Sequence, residues 1–390
     1  MKLNDEIRLK ISDDNHNGNG ISLSESIPVF INGGLKDDDV LVRITKVNKK
    51  YAEGKILSFY NRAIREDIKC PYYDRCGGCD LLHISSDKEL SLKGEYLERL
   101  FGKSIKINSY NDINYRNKIV LHVSNNILGL YKKGSNEIVK INNCLLVDDS
   151  INEIIGLFNN FDLSNITEVV IKKGDKLLIN ILGTITNKDL MALINTKIIG
   201  SIYQNELLIY GDKYITHFID KFKYFDNNDS FFQVNEECMK ELYSKVKKYV
   251  GESNKLLDLY CGSATIGIFL SDICKSVIGV EINKDSYLYA LKNIEENKIK
   301  NYKIINDDAS AVIGDFDTIV VDPPRSGLSK KVIDNIQEMN PKKLIYISCN
   351  PSTLKRDIGL LNNYKLVNVE GFNMFPRTKH IETLCVLERI

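Results

Sequence analysis

A cysteine and a glutamate near the C-terminal end have the residue types that nucleophilic catalysis requires. Cys349 lies in the segment SCNP, directly after the apolar run KLIYIS, and Glu382 lies directly before the last apolar run, TLCVLER. A thiolate can add to carbon 6 of uracil and make carbon 5 nucleophilic, after which a base must remove the carbon-5 proton. The pair could therefore methylate carbon 5 of a uridine, with Cys349 as nucleophile and Glu382 as general base. His380 is the second candidate for the base.

Glycine and acidic residues follow three successive apolar runs, at the places where an open α/β sheet binds its ligands. Gly262, in the segment DLYCGSATIG, lets the backbone approach a ligand just before a helix begins. Glu281 ends the next run and can accept hydrogen bonds from both hydroxyls of a ribose, while Asp307 and Asp308 suit an adenine amino group. Each residue alone also fits a structural glycine or a helix-capping aspartate. The missing GxGxxG and phosphate-cradling loop favour S-adenosylmethionine over a dinucleotide or ATP.

The segment DPPRSG, which begins at Asp322, ends a fourth apolar run. Its two prolines keep the backbone extended where the substrate should meet the cofactor. Methyltransferases that act on exocyclic amines carry Asn-Pro-Pro-aromatic at this place. Asp322 and Arg325 favour a different target atom and an anionic substrate.

Nine cysteines are many for a chain without a secretory signal, and an odd number argues against a disulfide framework. Cys70, Cys76 and Cys79 lie in CPYYDRCGGC, where paired glycines allow sharp turns. Cys144 is the best candidate for a fourth ligand. Four thiolates suit either zinc or an iron–sulfur cluster. Because the uneven spacing fits the paired CxxC of a zinc ribbon poorly, we predict a 4Fe–4S cluster.

At 390 residues the chain is too long for one compact core, and its pattern predicts three domains. Residues 1–66 read as short strands separated by turns, which is typical of a five-stranded OB-like barrel. Residues 67–224 mix strands with one helix-like stretch, INEIIGLFNNF, and predict an α+β domain that holds the cluster. Residues 225–390 alternate helices with apolar strand candidates, which predicts an α/β, Rossmann-like domain with a mostly parallel sheet.

Charge is unevenly distributed, although the net charge is only +1. Between Arg43 and Arg65 seven basic residues stand against one acid, with Tyr51, Phe59 and Tyr60 interleaved. This mixture can pair with phosphates and stack on bases, or it can form the solvated face of a small β domain.

The lengths of the apolar runs indicate where in the cell the protein should be located. No run approaches the roughly 20 residues that span a membrane. The N-terminal MKLNDEIRLK has no apolar core of the kind that a signal peptide needs. We therefore expect a cytoplasmic protein that binds no membrane. No protein partner is implied, and we expect a monomer.

These segments together resemble the RNA uridine-C5 methyltransferase family over nearly the whole chain. The N-terminal segment is similar to the family's TRAM domain, an RNA-binding barrel, and CPYYDRCGGC with Cys144 is similar to its iron–sulfur ligands. YRNK at 115–118 and SFFQVN at 230–235 are also characteristic. The resemblance implies a class I methyltransferase fold and an RNA substrate, with 23S ribosomal RNA favoured over transfer RNA. It implies the same roles for Cys349 and Glu382, and it adds four residues at or beside the cofactor: Gln233, Tyr260, Glu281 and Asp322.

Two residues depart from the family pattern, and two other functions compete. Ala264 stands where a second glycine is usual in the cofactor loop, and Leu82 replaces a common glutamine before His83. Cytosine-C5 methylation uses the same thiol addition but usually presents a Pro-Cys dipeptide. A non-catalytic iron–sulfur RNA-binding protein would keep the cysteines, but the intact DPPR and SCNP segments argue against it.

Overall fold

The computed structural model describes residues 1–23 and 27–390. The chain forms two compact units. The N-terminal unit comprises Met1–Ile107 and Phe375–His380, and the larger unit comprises Asn108–Met374 and Ile381–Ile390. The division into three domains stays a prediction. Within the described ranges no helix combines the length and the apolar character that a membrane span needs.

Six strands of the N-terminal unit form one sheet. They are β1 (Glu6–Lys10), β2 (Asp13–Asp14), β3 (Asn19–Ser22), β4 (Val29–Asn32), β5 (Asp39–Val47) and β6 (Ala52–Asn61). They pair in the order β1-β5-β6-β4-β3-β2. Alternate residues of β5, Val40, Val42 and Ile44, are fully buried and pack with Leu9 and Ile31 in one core. The described part of this unit has six sheet strands where the sequence predicted five, and closure into an OB-like barrel stays a prediction.

One helix of the N-terminal unit, α1 (Ser86–Phe101), is absent from the sequence prediction. Ser85 caps its start by accepting a backbone N–H at 3.2 Å, and Gly102 ends it with a φ of 72°. Its buried positions include the charged residues Glu89 and Lys93, which mask the apolar period of the helix in the sequence. A short strand, β7 (Ile107–Asn108), follows at the junction of the two units.

The first part of the larger unit contains a seven-stranded sheet, a hairpin and two helices. The sheet strands are β8 (Lys118–Ser124), β9 (Ile127–Tyr131), β10 (Ile138–Lys140), β11 (Ile166–Lys173), β12 (Leu177–Gly183), β13 (Ile199–Gln204) and β14 (Leu207–Gly211). The helices are α2 (Asp149–Phe158) and α3 (Asn187–Asn195), and the hairpin consists of β15 (Ile215–Ile219) and β16 (Phe222–Asp226). The sheet order is β10-β9-β8-β11-β12-β13-β14. The helix predicted from the sequence is α2, and α3 is an addition.

The remainder of the larger unit alternates helices and strands, as predicted. The strands are β17 (Ser253–Leu259), β18 (Cys274–Val280), β19 (Tyr302–Ile305), β20 (Thr318–Val321), β21 (Lys343–Ser348), β22 (Tyr364–Phe372) and β23 (Glu382–Arg389). The helices are α4 (Glu236–Val250), α5 (Thr265–Leu270), α6 (Lys284–Glu296), α7 (Lys330–Met339) and α8 (Pro351–Ile358). The sheet order is β19-β18-β17-β20-β21-β23-β22-β7. The α/β class with a mostly parallel sheet is confirmed.

The order of this sheet creates a place for ligands. β17 to β21 pair in parallel, and β17 has β18 on one side and β20 on the other, so the winding of the chain reverses there. Such a reversal opens a crevice at the carboxyl ends of the strands. β23 runs antiparallel to both β21 and β22, which brings its first residue to the same edge of the sheet.

Candidate active site

The register between β21 and β23 sets the position of the two predicted catalytic residues. Ser348, the last residue of β21, pairs with Thr383 of β23. The next residue outward on each side is Cys349 and Glu382. The charge of Glu382 acts on the pKa of the Cys349 thiol, so the two side chains are near each other. The sequence predicted both residues at this edge, and the register explains why they are neighbours.

The Cys349 thiol has neighbours that act on its pKa in opposite directions. Partial burial is the largest effect and raises the pKa of the thiol, and the charge of Glu382 raises it further. The Arg325 guanidinium lowers it, both through its charge and through a hydrogen bond to the sulfur. Arg325 is therefore a group that favours the thiolate, which is the nucleophilic form. The sequence suggested only an anionic substrate for this arginine.

Glu382 and Asp322 form an acidic pair that holds protons unusually well. Glu382 is only 4% exposed, and burial followed by the nearby charge of Asp322 raises its pKa well above the usual range. Burial raises the pKa of Asp322 to about 7. The buried Tyr243 lies close enough for both carboxylates to act on its own pKa, which is raised mainly by burial. A carboxyl with a raised pKa is suited to proton transfer near neutral pH.

The loop between β17 and α5 has three residues in the left-handed region: Tyr260 at φ 61°, Gly262 at φ 54° and Ala264 at φ 66°. The Gly262 N–H donates to Glu281 Oε2 at 2.9 Å, and Glu281 Oε1 accepts the Asn283 N–H at 2.7 Å. A Cβ at Gly262 would meet nothing within 4 Å. Glu281 thus braces the loop, and open space remains beside Gly262, as the predicted approach of a ligand requires.

A buried acid missed by the sequence analysis lies beneath this loop. Asp258 is 1% exposed, accepts the Tyr302 hydroxyl at 2.8 Å, and has its pKa raised to about 7 mainly by burial. Gly267 and Gly279 leave room for the Tyr302 ring, because a Cβ at either position would lie within 2.5 Å of it. An acid near the end of the apolar run KLLDLY was the sequence signal that could have revealed Asp258.

Asp308 caps a short helical turn, which was the simpler of the two interpretations that the sequence allowed. Its carboxylate accepts the Ser310 N–H at 2.8 Å and caps a short 3₁₀ turn, Ala309–Ala311. The residue is exposed, and its charge lies near Tyr260, whose pKa burial and this charge raise to about 12. The structure therefore brings Asp308 to the same edge as Tyr260.

The segments YRNK and SFFQVN, far apart in the sequence, are neighbours in the structure. The Asn117 N–H donates to the Val234 carbonyl at 3.0 Å, and its amide donates to the Gln233 carbonyl at 3.0 Å. Arg116 forms an antiparallel bridge with Asn235, the cap of α4. These bonds fix the backbone of Gln233, whose side chain is half-buried.

A buried polar network anchors the start of the SFFQVN segment. Lys172, 2% exposed, donates to Asp226 Oδ1 at 2.9 Å and to the Ser230 carbonyl at 2.7 Å. His217 lies between Asp226 at 3.3 Å and Glu236 at 3.0 Å. None of these residues was predicted from the sequence. A lysine inside the apolar strand EVVIKK was the signal that could have found the network.

The predicted cluster ligands are divided between the two units. Cys70, Cys76 and Cys79 belong to the N-terminal unit and Cys144 to the larger one. The Gly78 N–H donates to the Cys76 sulfur at 3.4 Å, a contact that also suits a metal-bound thiolate. Among the residues that the structure describes, no group of three or more His, Cys, Asp or Glu side chains is arranged to hold a metal ion.

The basic segment of the N-terminal unit contains one buried ion pair and several exposed cations. Three of its cations form ion pairs with acids of the same unit: Arg43 with Glu6, Lys46 with Glu53, and Arg65 with Asp38. Four others are exposed: Lys49, Lys50, Lys55 and Arg62. Arg62 lies 5.2 Å from the centre of the Phe59 ring, which is 39% exposed. The exposed cations can contact RNA, and the buried Arg65–Asp38 pair supports the fold.

The reversed parallel sheet, with glycine and acidic residues at its carboxyl edge, defines a class I methyltransferase domain. The chain matches the tRNA (Uracil-5-)-methyltransferase family over residues 193–314 and 311–390, and the TRAM domain over residues 2–57. The chain belongs to the tRNA (uracil-5-)-methyltransferase family and is an S-adenosylmethionine-dependent RNA methyltransferase with an N-terminal TRAM domain.

Relatives extend this similarity over the whole chain. An RNA methyltransferase of Clostridium acetobutylicum is 33% identical over 453 residues, covering 100% of this chain and 98% of the relative. One of Caldanaerobacter subterraneus subsp. tengcongensis is 32% identical over 453 residues, covering 100% and 99%. The crystal structure of Pyrococcus abyssi tRNA (uracil-54, C5)-methyltransferase with S-adenosyl-L-homocysteine has a TM-score of 0.84 at 24% identity, covering 97% and 99%. The last comparison shows that the fold is shared.

Proposed function

We propose that this enzyme methylates carbon 5 of a uridine in RNA, with Cys349 as nucleophile and Glu382 as general base. The proposal is supported above all by the register of β21 and β23 and by the effect of the Glu382 charge on the Cys349 thiol, which together indicate that the two groups are close. A reaction at carbon 5 of uracil needs one thiolate and one base on the same side of the ring system. Arg325 lies beside the sulfur and Asp322 beside Glu382, and their charges act on the pKa values of these two proposed reacting groups.

Cys349, deprotonated, forms a bond from sulfur to carbon 6, and the electron pair of the carbon 5–carbon 6 double bond passes into an enolate. S-adenosylmethionine, when bound, supplies the methyl group that carbon 5 takes up, and S-adenosylhomocysteine leaves with the electrons of the broken sulfur–methyl bond. Glu382 then removes the carbon-5 proton, the double bond forms again, and the bond from sulfur to carbon 6 breaks. The Cys349 thiolate is thereby regenerated.

The loop at the carboxyl edge supports a nucleoside cofactor site. Glu281 already accepts two backbone N–H groups, so its carboxylate is fixed in place for ribose hydroxyls. The open space at Gly262 allows close approach. We assign the cofactor contacts to these two residues and to four others: Gln233, Tyr260, Asp308 and Asp322. Ribose and adenine recognition would fall to the acids, and stacking to the tyrosine.

The RNA that we propose is 23S ribosomal RNA, encountered in the cytoplasm. The combination of a TRAM domain with a proposed cluster supports this choice, and the exposed Lys49, Lys50, Lys55 and Arg62 supply contacts for phosphates. Transfer RNA is the alternative. The family description and the Pyrococcus abyssi neighbour both concern transfer RNA.

We also propose a 4Fe–4S cluster held by Cys70, Cys76, Cys79 and Cys144. The spacing of the thiols and the Gly78 N–H bonded to the Cys76 sulfur support it. No step of the methyl transfer uses this cluster. Protein purified without oxygen should be brown and contain about four irons per chain. A colourless protein loaded with zinc from the same preparation would contradict the cluster.

The test of the reaction uses transcribed, unmodified ribosomal and transfer RNA with S-adenosylmethionine, followed by mapping of 5-methyluridine. A single new site in ribosomal RNA would support reaction and substrate together. Product in transfer RNA alone would keep the reaction and replace the substrate. No product on either RNA, while the protein binds both RNA and cofactor, would favour the non-catalytic alternative. Methylated cytosine would favour cytosine-C5 chemistry.

A further inference from the structure

We infer that Glu89 and Arg377 are positioning residues for Glu382, and this inference rests on the role proposed for Glu382 as the base. Residues 375–380, here called the strap, connect β22 to β23 but belong to the N-terminal unit. The chain leaves the larger unit after Met374 and returns to it at Ile381, one residue before Glu382. The base therefore directly follows a segment that another unit holds.

The strap is held at Arg377 by bonds from both its backbone and its side chain. The Arg377 N–H donates to both carboxylate oxygens of Glu89, each at 3.1 Å. The Arg377 carbonyl accepts the N–H groups of Asp80 and Leu81 at 3.0 and 3.1 Å. The guanidinium donates to the Ile84 carbonyl at 2.9 Å. The guanidinium also donates to the hydroxyl of Ser86, the first residue of α1, at 2.7 Å.

The contact between Glu89 and Arg377 combines an unusual backbone conformation with a buried ion pair. Arg377 has a φ of 66°, a conformation that a residue with a side chain adopts only when its surroundings enforce it. Glu89 is 1% exposed and pairs with the fully buried Lys93 at 2.8 Å. A buried ion pair contributes little net stability, because desolvation offsets the attraction. The pair with Lys93 instead fixes the position of the Glu89 carboxylate, which accepts the Arg377 N–H.

Chain length limits how far the base can move independently of the strap. The Lys379 N–H donates to Asp80 at 3.2 Å, and Glu382 is three residues further on. Three extended residues span at most about 11 Å, and Ile381 and Glu382 are both buried. The strap and the proposed base are thus joined by only a short stretch of chain. A misplacement of about 1 Å can cost about 100-fold in rate.

Loss of the contact should affect one step of the reaction more than the other. Cys349 follows β21, whose neighbours β20 and β23 do not include the strap, so addition to carbon 6 should proceed. Glu382 begins β23 two residues after the strap ends, so removal of the carbon-5 proton should slow. The covalent intermediate should then accumulate.

The experiment compares the full-length wild type with Glu89→Gln and with Glu98→Gln, a control that removes a charge from an exposed position on α1. Covalent capture of 5-fluorouridine RNA reports steps before proton removal, since the fluorine blocks that removal. We expect Glu89→Gln to capture this RNA within twofold of the wild type. On ordinary RNA we expect turnover about 10-fold lower and a covalent adduct at least fivefold more abundant. Glu98→Gln should match the wild type, and Glu89→Asp should recover part of the turnover.

Arg377→Lys is the second variant, because it keeps the Glu89–Lys93 pair and removes the forked guanidinium contacts. It should show the same separation between capture and turnover. Wild-type turnover in both variants would overturn the inference. Capture and turnover falling together would also overturn it, since a general structural role predicts that result. A wild type that fails to capture 5-fluorouridine RNA would instead contradict the proposed function.

Discussion

Cys349 and Glu382 are neighbours at one edge of the sheet, because Ser348, which precedes the cysteine, pairs with Thr383, which follows the glutamate. Both strands are buried along most of their length. The closeness of the proposed nucleophile and the proposed base is thus a consequence of how two apolar strands pair.

Activity should rise with pH through the neutral range. As the proposed base, Glu382 can remove a proton only as a carboxylate, and its pKa is raised by burial and by Asp322, whose own pKa is raised to about 7. Below that pH the acidic pair holds protons and the base is blocked. The pKa of the Cys349 thiol is also raised, which works in the same direction. A profile of kcat/KM against pH measures this rise, and a profile that is flat from pH 6 to 9 would contradict it.

Replacing Ala264 by glycine should stabilise the protein. Ala264 is fully buried and has a φ of 66°, where a Cβ costs about 1–2 kcal/mol and glycine does not. After the entropy of an added glycine, we expect a gain of about 1 kcal/mol in the free energy of unfolding. Denaturant unfolding measures it. The control Ala290→Gly, in α6 at a buried position, should lose stability, and a loss in Ala264→Gly would contradict the account.

Lys172→Met should destabilise the larger unit and weaken cofactor binding. The change leaves Asp226 buried without its ammonium partner, which costs about 3–5 kcal/mol. It also removes the bond to the Ser230 carbonyl at the start of the SFFQVN segment. Thermal unfolding and calorimetric titration with S-adenosylmethionine measure the two effects. The exposed Lys176→Met is the control, and unchanged affinity in a stably folded Lys172→Met would separate the network from the cofactor site.

The sequence predicted the catalytic sheet well, because its strands are continuous apolar runs. It placed Cys349, Glu382 and Asp322 at strand ends, where the topology of the sheet brings them to one edge. It could not predict the strap, since Glu89 and Arg377 are far apart in the chain and no periodicity connects them. Helix α1 escaped prediction because Lys93 and Glu89 occupy its buried face. Contacts between distant polar residues need the fold before they can be recognised.

The most direct test of the central claim compares the wild type, Cys349→Ala and Glu382→Gln for covalent adducts with ordinary uridine RNA and S-adenosylmethionine. Denaturing electrophoresis and mass spectrometry detect the adduct and its added methyl group. We predict no adduct and no product with Cys349→Ala, and a methylated adduct that persists with Glu382→Gln. Turnover of Glu382→Gln at the wild-type rate, or methylated product from Cys349→Ala, would contradict the assignment of nucleophile and base.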